Sequence, residues 1–173
     1  MQRDQLEHII RAACAITGAT EIVVIGSQAV LGQHPDAPEE LRVSIEADVF
    51  TFRDPADADL IDGSIGERSP FHETFGYYAH GVARDTAILP RGWEERLVRV
   101  ANTNTGGGAG LCLEPHDLAV SKLAAGREKD LEFVRAMARR GLVAGATLKE
   151  RLAETPLRAG VRELCEARLR TLD

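Results

Sequence analysis

The sequence has few of the features that place a chain in a familiar class at once. Its 173 residues include three cysteines, at positions 14, 112 and 165, without the spacing of metal ligands. We expect them to be buried thiols, and not disulfides or zinc ligands. No apolar run approaches the roughly 18 residues of a membrane span. The N-terminal residues mix both charge signs and lack the apolar core of a signal peptide. We therefore expect a cytoplasmic protein with no membrane partner.

A strong positive charge is also missing, because the formal net charge is −6. The charge is uneven: residues 1–113 carry −8, whereas residues 114–173 carry +2 and hold all three lysines. This balance disfavours a uniformly basic nucleic-acid-binding protein. A local basic patch on the C-terminal helices is left open, although a solvated helix surface explains most of these charges.

The two best-known glycine-rich phosphate motifs, GxxxxGK[ST] and GxGxxG, are absent. Instead, the β-branched run at 22–25 enters a turn at Gly26 and Ser27, and an apolar segment follows. Ser27 is placed to cap a helix. Backbone N–H groups at such a turn can hold a phosphate. By itself, however, the turn is explained as well or better by a plain capped strand-to-helix connection.

Two acidic residues, Glu46 and Asp48, stand two positions apart in an alternating segment at 41–52. Alternation predicts a strand with one face in the core and both carboxylates on the other face. Paired carboxylates can bind Mg²⁺, which prefers oxygen ligands and leaves room for substrate phosphates. Two solvent-facing acids on a half-buried strand are the structural alternative. We favour the metal-binding interpretation because the strand turns apolar directly after Asp48.

A third group of charges lies in SKLAAGREKD, residues 121–130. Lys122 has mostly apolar neighbours, so its ammonium group either extends to the surface or points into a cleft. Arg127 and Lys129 are explained equally well by exposed salt bridges. Asp130 follows on the same segment.

The residue pattern predicts an α+β protein, with a mixed sheet flanked by helices and a helical C-terminal part. Predicted helices are at 3–17, after Ser27 up to Pro35, 55–61, 115–126, 127–141, 147–153 and 158–171. Predicted strands are at 21–25, 41–52, 77–79, 86–89, 97–101 and 111–113, with residues 102–110 as a loop or hairpin tip.

Taken together, the strand–Gly26–Ser27–helix element and the later acid-x-acid pair resemble the nucleotidyltransferase superfamily with the polymerase-β-like fold. The run HDLAVSKLAAGREKD resembles the helical segment of uncharacterised and AbiEii-type bacterial members, which include toxins of toxin–antitoxin pairs. The resemblance covers roughly residues 20–140. We therefore predict one domain, with a nucleotidyltransferase-like core at 1–140 and a C-terminal helical extension at 141–173.

The resemblance implies an activity and roles for the matching residues. Gly26 and Ser27 would hold the phosphates of an NTP, and Glu46 and Asp48 would bind Mg²⁺ or Mn²⁺ and serve catalysis. The positively charged contacts to the nucleotide would come from Lys122 and Arg127, and Asp130 would complete the catalytic site. The acceptor would be RNA such as tRNA, a protein or a small molecule, and a small antitoxin protein would be a partner.

The chain departs from the superfamily pattern at two positions. Glu46 stands where aspartate is common, and no third strand carboxylate is clear. Asp85 is the nearest candidate, but it reads equally well as a turn residue before a strand. A second hypothesis is therefore a catalytically reduced nucleotidyltransferase fold that acts as a nucleotide-binding or protein-interaction module.

Overall fold

A five-stranded mixed sheet is the central element of the computed structural model, which describes residues 1–172. The strands are β1 (Glu21–Val24), β2 (Glu46–Phe50), β3 (Tyr78–Gly81), β4 (Val98–Val100) and β5 (Ala109–Cys112). Their order is β3-β2-β1-β5-β4. β1 pairs antiparallel with β2 and parallel with β5, β3 runs parallel to β2, and β4 runs antiparallel to β5. The predicted α+β class with a mixed sheet is confirmed.

Helices lie before, between and after the strands along the sequence, and they form the C-terminal part of the chain. They are α1 (Arg3–Thr17), α2 (Val30–Gln33), α3 (Asp57–Ile65), α4 (Pro70–Phe75), α5 (Pro115–Ala125), α6 (Glu128–Arg139), α7 (Gly145–Ala153) and α8 (Ala159–Arg170). The chain divides into two units. Unit 1 holds residues 1–86 and 97–113, with the whole sheet, and unit 2 holds residues 87–96 and 114–173. The predicted domain limits at 140 and 141 stay a prediction.

Unit 1 is held together by apolar packing and by hydrogen bonds to buried carboxylates, among them that of Glu7. The core consists of the inner face of α1 and of side chains from β1, β2 and β5. Glu7 on α1 is buried and accepts hydrogen bonds from Arg3, Asn102 and Asn104. Burial by itself would raise the pKa of Glu7, but these hydrogen bonds lower it overall. The loop that contains the two asparagines is thereby fixed to α1.

Unit 2 is organised around α5, which contacts α6, α7 and α8. Asp117, in the first turn of α5, is fully buried and accepts hydrogen bonds from Arg96 at 2.8 and 3.1 Å. Arg151 of α7 lies 3.3 Å from the same carboxylate. A buried charge is tolerated when it is paired in this way. The ion pairs connect the segment at 87–96 and α7 to α5.

Several predicted boundaries differ from the structure. The strand predicted at 86–89 is wrong: Arg84–Thr86 forms a 3₁₀ turn and residues 87–89 form no strand. The strand predicted at 41–52 starts only at Glu46, after a 3₁₀ turn at Glu39–Leu41. The segment predicted as a loop at 102–110 contains a 3₁₀ turn and the first residues of β5. In the last case the side chains of Asn102 and Thr105 close the turn, and pairing with β1 and β4 extends β5 into the predicted loop.

The three cysteines are buried free thiols, as predicted. Burial raises the pKa of the Cys112 thiol to about 12, which leaves it unreactive at neutral pH. None of the helices within residues 1–172 combines the length and the apolar character that crossing a membrane requires.

Candidate functional site

The predicted acidic pair lies on β2, at the half-buried positions of an alternating strand. Ala47 and Val49 point into the core with no exposed surface, while Glu46 and Asp48 alternate with them on the other face. The side chains of the two acids are 36% and 31% exposed, so both are accessible to a ligand. The prediction that both carboxylates lie on one face of a strand, with the core on the other face, is confirmed.

The neighbouring strand β3 supplies two polar residues that face the acids. In the parallel pairing of β2 with β3, Glu46 lies opposite Tyr78 and Asp48 lies opposite His80. The His80 Nδ1 atom lies 3.2 Å from Asp48 Oδ1 and 3.5 Å from Glu46 Oε1. Within the described residues, Glu46, Asp48 and His80 form a group whose ligand atoms all lie within 4.8 Å of one another.

Tyr78 fixes the orientation of Glu46. Its hydroxyl donates a hydrogen bond of 2.6 Å to Glu46 Oε2. This hydrogen bond is the main reason why the pKa of Tyr78 is well above its ordinary value. Burial raises the pKa of Glu46, but the hydrogen bond from Tyr78 and the interactions with Asp48 and His80 outweigh burial and lower it. Glu46 is thus held as a carboxylate with Oε1 directed to His80.

Asp48 has the opposite electrostatic environment. Burial raises its pKa first, and the hydrogen bond and negative charge of Glu46 raise it further, against a smaller lowering by His80. Two carboxylates this close repel each other when both are ionised. The pair therefore favours a cation next to it, and a metal ion can supply that charge.

The glycine turn lies directly against Asp48. An added Cβ at Gly26 would stand 2.0 Å from Asp48 Oδ2, so only glycine leaves room for this carboxylate. Gly26 has an ordinary φ of −79°, which means that close approach, and not backbone strain, requires the glycine. Ser27 begins the 3₁₀ turn Ser27–Ala29 that leads into α2. The prediction that Ser27 caps the helix is wrong, because Gly26 occupies the capping position of the 3₁₀ turn and Ala29 that of α2.

Gln28 follows this turn and is fully buried. Both atoms of its side-chain amide lack a hydrogen-bond partner among the described residues. A buried amide without a partner costs on the order of 1–3 kcal/mol, and such groups are rare outside functional sites and water-binding positions. No pattern in the sequence indicated a role for this residue.

The residues present fit a divalent metal ion. Glu46 and Asp48 offer oxygen ligands, His80 offers a nitrogen ligand, and Gly26 leaves the space that a side chain would otherwise fill. Carboxylate and imidazole groups are the ligands that divalent metals use most in proteins. The predicted ligands Glu46 and Asp48 are therefore placed where an ion could contact both.

The other predicted residues lie in unit 2, where they form a buried ion pair. Lys122 Nζ donates to Asp130 Oδ1 at 3.1 Å and lies 4.6 Å from the centre of the Phe133 ring. Arg127 donates to the same carboxylate at 2.6 and 3.2 Å. These contacts join the end of α5 to the start of α6. The nucleotide and catalytic roles of Lys122, Arg127 and Asp130 stay predictions.

Two residues of the candidate site were not predicted from the sequence. The strand predicted at 77–79 stops before His80 and left Tyr78 without an assigned role, although Tyr78 and His80 alternate as Glu46 and Asp48 do. That alternation is the only signal for them in the sequence. Asp85, the candidate for a third strand carboxylate, is exposed in a 3₁₀ turn and lies on no strand.

Replacing Gly26 with alanine tests whether the turn shapes the acidic site. We expect Gly26→Ala to displace the Asp48 carboxylate from His80 and to destabilise the protein by about 1–3 kcal/mol through overpacking. Chemical denaturation and a crystal structure of the variant would measure both effects. The matched control is Gly63→Ala in α3, where an added Cβ meets nothing within 4 Å. We expect this control to be stabilising by about 0.5–1 kcal/mol. An unmoved Asp48 in Gly26→Ala would contradict the role of the turn.

Replacing Asp130 with alanine tests the ion pair in unit 2. Asp130→Ala would remove the buried carboxylate to which Lys122 and Arg127 both donate, and we expect a loss of about 3 kcal/mol in the free energy of unfolding. The exposed Glu132→Ala is the control, with an expected change within about 0.5 kcal/mol. Equal stabilities of the two variants would show that the pair contributes nothing.

The pH dependence of this difference follows from the pKa of Asp130. Burial raises that pKa, but the hydrogen bonds from Arg127 and the charge of Lys122 outweigh burial and lower it below its unfolded value. The stabilisation should therefore be complete above the unfolded pKa of about 3.9 and should disappear as the pH falls through the lower folded value. Urea unfolding of wild type and Asp130→Ala between neutral pH and about pH 3 would measure this convergence.

Comparison with known proteins identifies the family of the chain. The family model described as "Nucleotidyltransferase of unknown function (DUF6036)" matches residues 4–170, almost the whole chain. No curated protein and no solved structure matches the sequence. The predicted nucleotidyltransferase resemblance is confirmed, whereas the closeness to AbiEii-type members stays a prediction. The chain belongs to the DUF6036 family of nucleotidyltransferases.

Proposed function

We propose that the protein is a cytoplasmic, metal-dependent enzyme that transfers a nucleoside monophosphate from an NTP to an acceptor hydroxyl. The observation that carries this proposal is the convergence of Glu46 and Asp48 with His80 beside Gly26, in a chain of a nucleotidyltransferase family. A structural strand surface would not need two adjacent carboxylates at a position where only glycine fits against one of them.

In the proposed reaction, the acceptor oxygen forms a bond to the α-phosphorus of the NTP and the bond from that phosphorus to the bridging oxygen breaks. The hydroxyl proton is released and pyrophosphate leaves. A bound Mg²⁺ or Mn²⁺ would neutralise the negative charge that develops on the phosphate oxygens. Glu46 and Asp48 would hold that ion, with Tyr78 fixing the orientation of Glu46.

The glycine turn would provide the second half of phosphate binding. Gly26 has no side chain, so the phosphates can approach the backbone closely at this point. The N–H groups of Ser27 and Gln28 open the turn Ser27–Ala29, whereas the Ala29 N–H donates to the Gly26 carbonyl. The Ser27 hydroxyl is also able to donate a hydrogen bond. These groups would position the triphosphate, and positioning contributes a large part of the rate in phosphoryl-type transfer.

The acceptor classes that we propose are RNA such as tRNA, a protein or a small molecule. The toxin role in a toxin–antitoxin pair, with a small antitoxin protein as partner, belongs to the same proposal. It is supported only by the resemblance of the segment around Lys122 to AbiEii-type members. Lys122 and Arg127 would contact the nucleotide and Asp130 would assist catalysis in that interpretation.

A second candidate function is nucleotide or protein binding without transfer. The observation in its favour is that β3 carries His80, and no carboxylate, next to the acidic pair. A site with fewer negative ligands binds Mg²⁺ less strongly, because Mg²⁺ is held mainly by carboxylates and phosphates. Such a protein would bind an NTP and leave it intact.

Incubation of the purified protein with each α-labelled NTP, Mg²⁺ or Mn²⁺, and total tRNA would test transfer. We expect label on RNA or on protein together with release of pyrophosphate. Loss of a metal ligand in Glu46→Ala or Asp48→Ala should reduce the rate by about a hundredfold or more. Glu39→Ala, at an exposed position outside the site, should leave the rate unchanged.

The outcomes separate the two candidate functions. Transfer that is equal in wild type, Glu46→Ala and Asp48→Ala would contradict the enzymatic proposal. Binding of an NTP without transfer under every condition would support the binding module instead. Calorimetry with a non-hydrolysable NTP analogue would measure that binding directly.

A further inference from the structure

We propose that His80 is the third protein ligand of the metal site, and that the site therefore prefers a first-row divalent cation such as Mn²⁺ or Co²⁺ over Mg²⁺. This inference deepens the proposed function, because it rests on Glu46 and Asp48 as metal ligands. It concerns metal binding itself, so its test does not require that transfer occurs.

The sheet register brings His80 to the acids. β3 runs parallel to β2, and Asp48 and His80 are direct neighbours across the two strands. Because side chains alternate along each strand, Tyr78 and His80 lie on the same face as Glu46 and Asp48. One sheet face thus presents two carboxylates, one imidazole and one phenol in adjacent positions.

The atoms that point to each other are one oxygen of each carboxylate and one ring nitrogen. His80 Nδ1 lies 3.2 Å from Asp48 Oδ1 and 3.5 Å from Glu46 Oε1. In an octahedral site with ligands at about 2.1 Å, neighbouring ligand atoms lie about 3 Å apart. The two separations from His80 Nδ1 are close to this value, and all three ligand atoms lie within 4.8 Å of one another, which suits three ligands of a single ion.

The second oxygen of each carboxylate faces a different group. Glu46 Oε2 accepts the hydrogen bond from Tyr78, and Asp48 Oδ2 lies against Gly26. Hydrogen bonds from outer residues usually orient metal-binding carboxylates and tune their affinity. Oε1 and Oδ1 are consequently directed toward His80, and the half-exposed imidazole leaves the remaining positions accessible to a substrate.

The donor set determines which ions are preferred. Mg²⁺ is held by oxygen ligands, whereas imidazole suits first-row transition metals. Replacing a third carboxylate by a neutral imidazole removes one negative charge that attracts any divalent ion, but the nitrogen ligand compensates for this loss more with a transition metal than with Mg²⁺. A site of two carboxylates and one histidine should therefore bind Mn²⁺ and Co²⁺ more tightly than Mg²⁺.

Metal titration of the apo protein in the absence of nucleotide tests the inference. Loss of the electron paramagnetic resonance signal of free Mn²⁺ reports Mn²⁺ binding, and competition with Mg²⁺ reports the second affinity. We expect wild type to bind Mn²⁺ at least about tenfold more tightly than Mg²⁺. His80→Asn should lose about 10–100-fold in Mn²⁺ affinity and much less in Mg²⁺ affinity.

A variant with a carboxylate in place of the imidazole should change the metal preference in the opposite direction. His80→Asp replaces the nitrogen ligand by oxygen and should shift the preference toward Mg²⁺ relative to wild type. His116→Ala in unit 2 is the matched control for adventitious binding to histidine, and its Mn²⁺ affinity should equal that of wild type. Circular dichroism would verify that both half-exposed His80 variants are folded.

A second readout identifies the ligand directly. Substoichiometric Mn²⁺ should broaden the imidazole signals of His80 in a ¹H–¹⁵N spectrum before those of the other histidines. Unchanged Mn²⁺ affinity in His80→Asn, or no metal binding by wild type, would overturn the inference. Weakened Mn²⁺ binding in His80→Asn, together with absent nucleotide transfer, would support His80 as a ligand and contradict only the proposed enzymatic function.

Discussion

The parallel pairing of β2 with β3 is the constraint on which the candidate site depends. It places Tyr78 opposite Glu46 and His80 opposite Asp48, and a shift of one residue would turn both partners to the opposite face. The antiparallel pairing of β1 with β2 then brings the turn after β1 next to Asp48, where the Ile25 N–H donates to the Asp48 carbonyl at 3.0 Å. Three neighbouring chain segments thus meet at one carboxylate.

This arrangement gives the two acids different properties. Glu46 is held by the Tyr78 hydroxyl and keeps its charge, whereas the pKa of Asp48 is raised by burial and by its acidic neighbour. Such a divergence is a physical signature of sites that bind cations or carry out proton transfer. The position of the Asp48 carboxylate also explains why glycine is required at position 26, because a Cβ there would occupy the space of this carboxylate.

The sequence predicted the parts of the site that follow from local patterns. Alternation along 41–52 was sufficient to place Glu46 and Asp48 on one face, and the glycine turn was recognised after the first strand. His80 and Tyr78 could not be found in this way, because the pairing of two strands separated by some 30 residues is a tertiary property. The erroneous strand at 86–89 has a similar origin: an apolar run can fold without a partner strand.

For Lys122 and Asp130, the sequence alone could not distinguish a functional role from a structural one. A lysine among apolar residues either extends its ammonium group to the surface or points it into a cleft, and the sequence cannot separate these two explanations. Within unit 2, the Asp130 carboxylate and the Phe133 ring satisfy the Lys122 ammonium group, and Arg127 completes the ion pair. These contacts explain the burial of the lysine without a nucleotide.

The central claim is that one divalent ion is bound by residues from both β2 and β3. Crystals grown with Mn²⁺ and a non-hydrolysable NTP analogue, measured at the manganese absorption edge, would test it most directly. We expect an anomalous peak within coordination distance of Glu46 Oε1, Asp48 Oδ1 and His80 Nδ1. A nucleotide-bound structure with manganese elsewhere, or with His80 turned away from the ion, would contradict it.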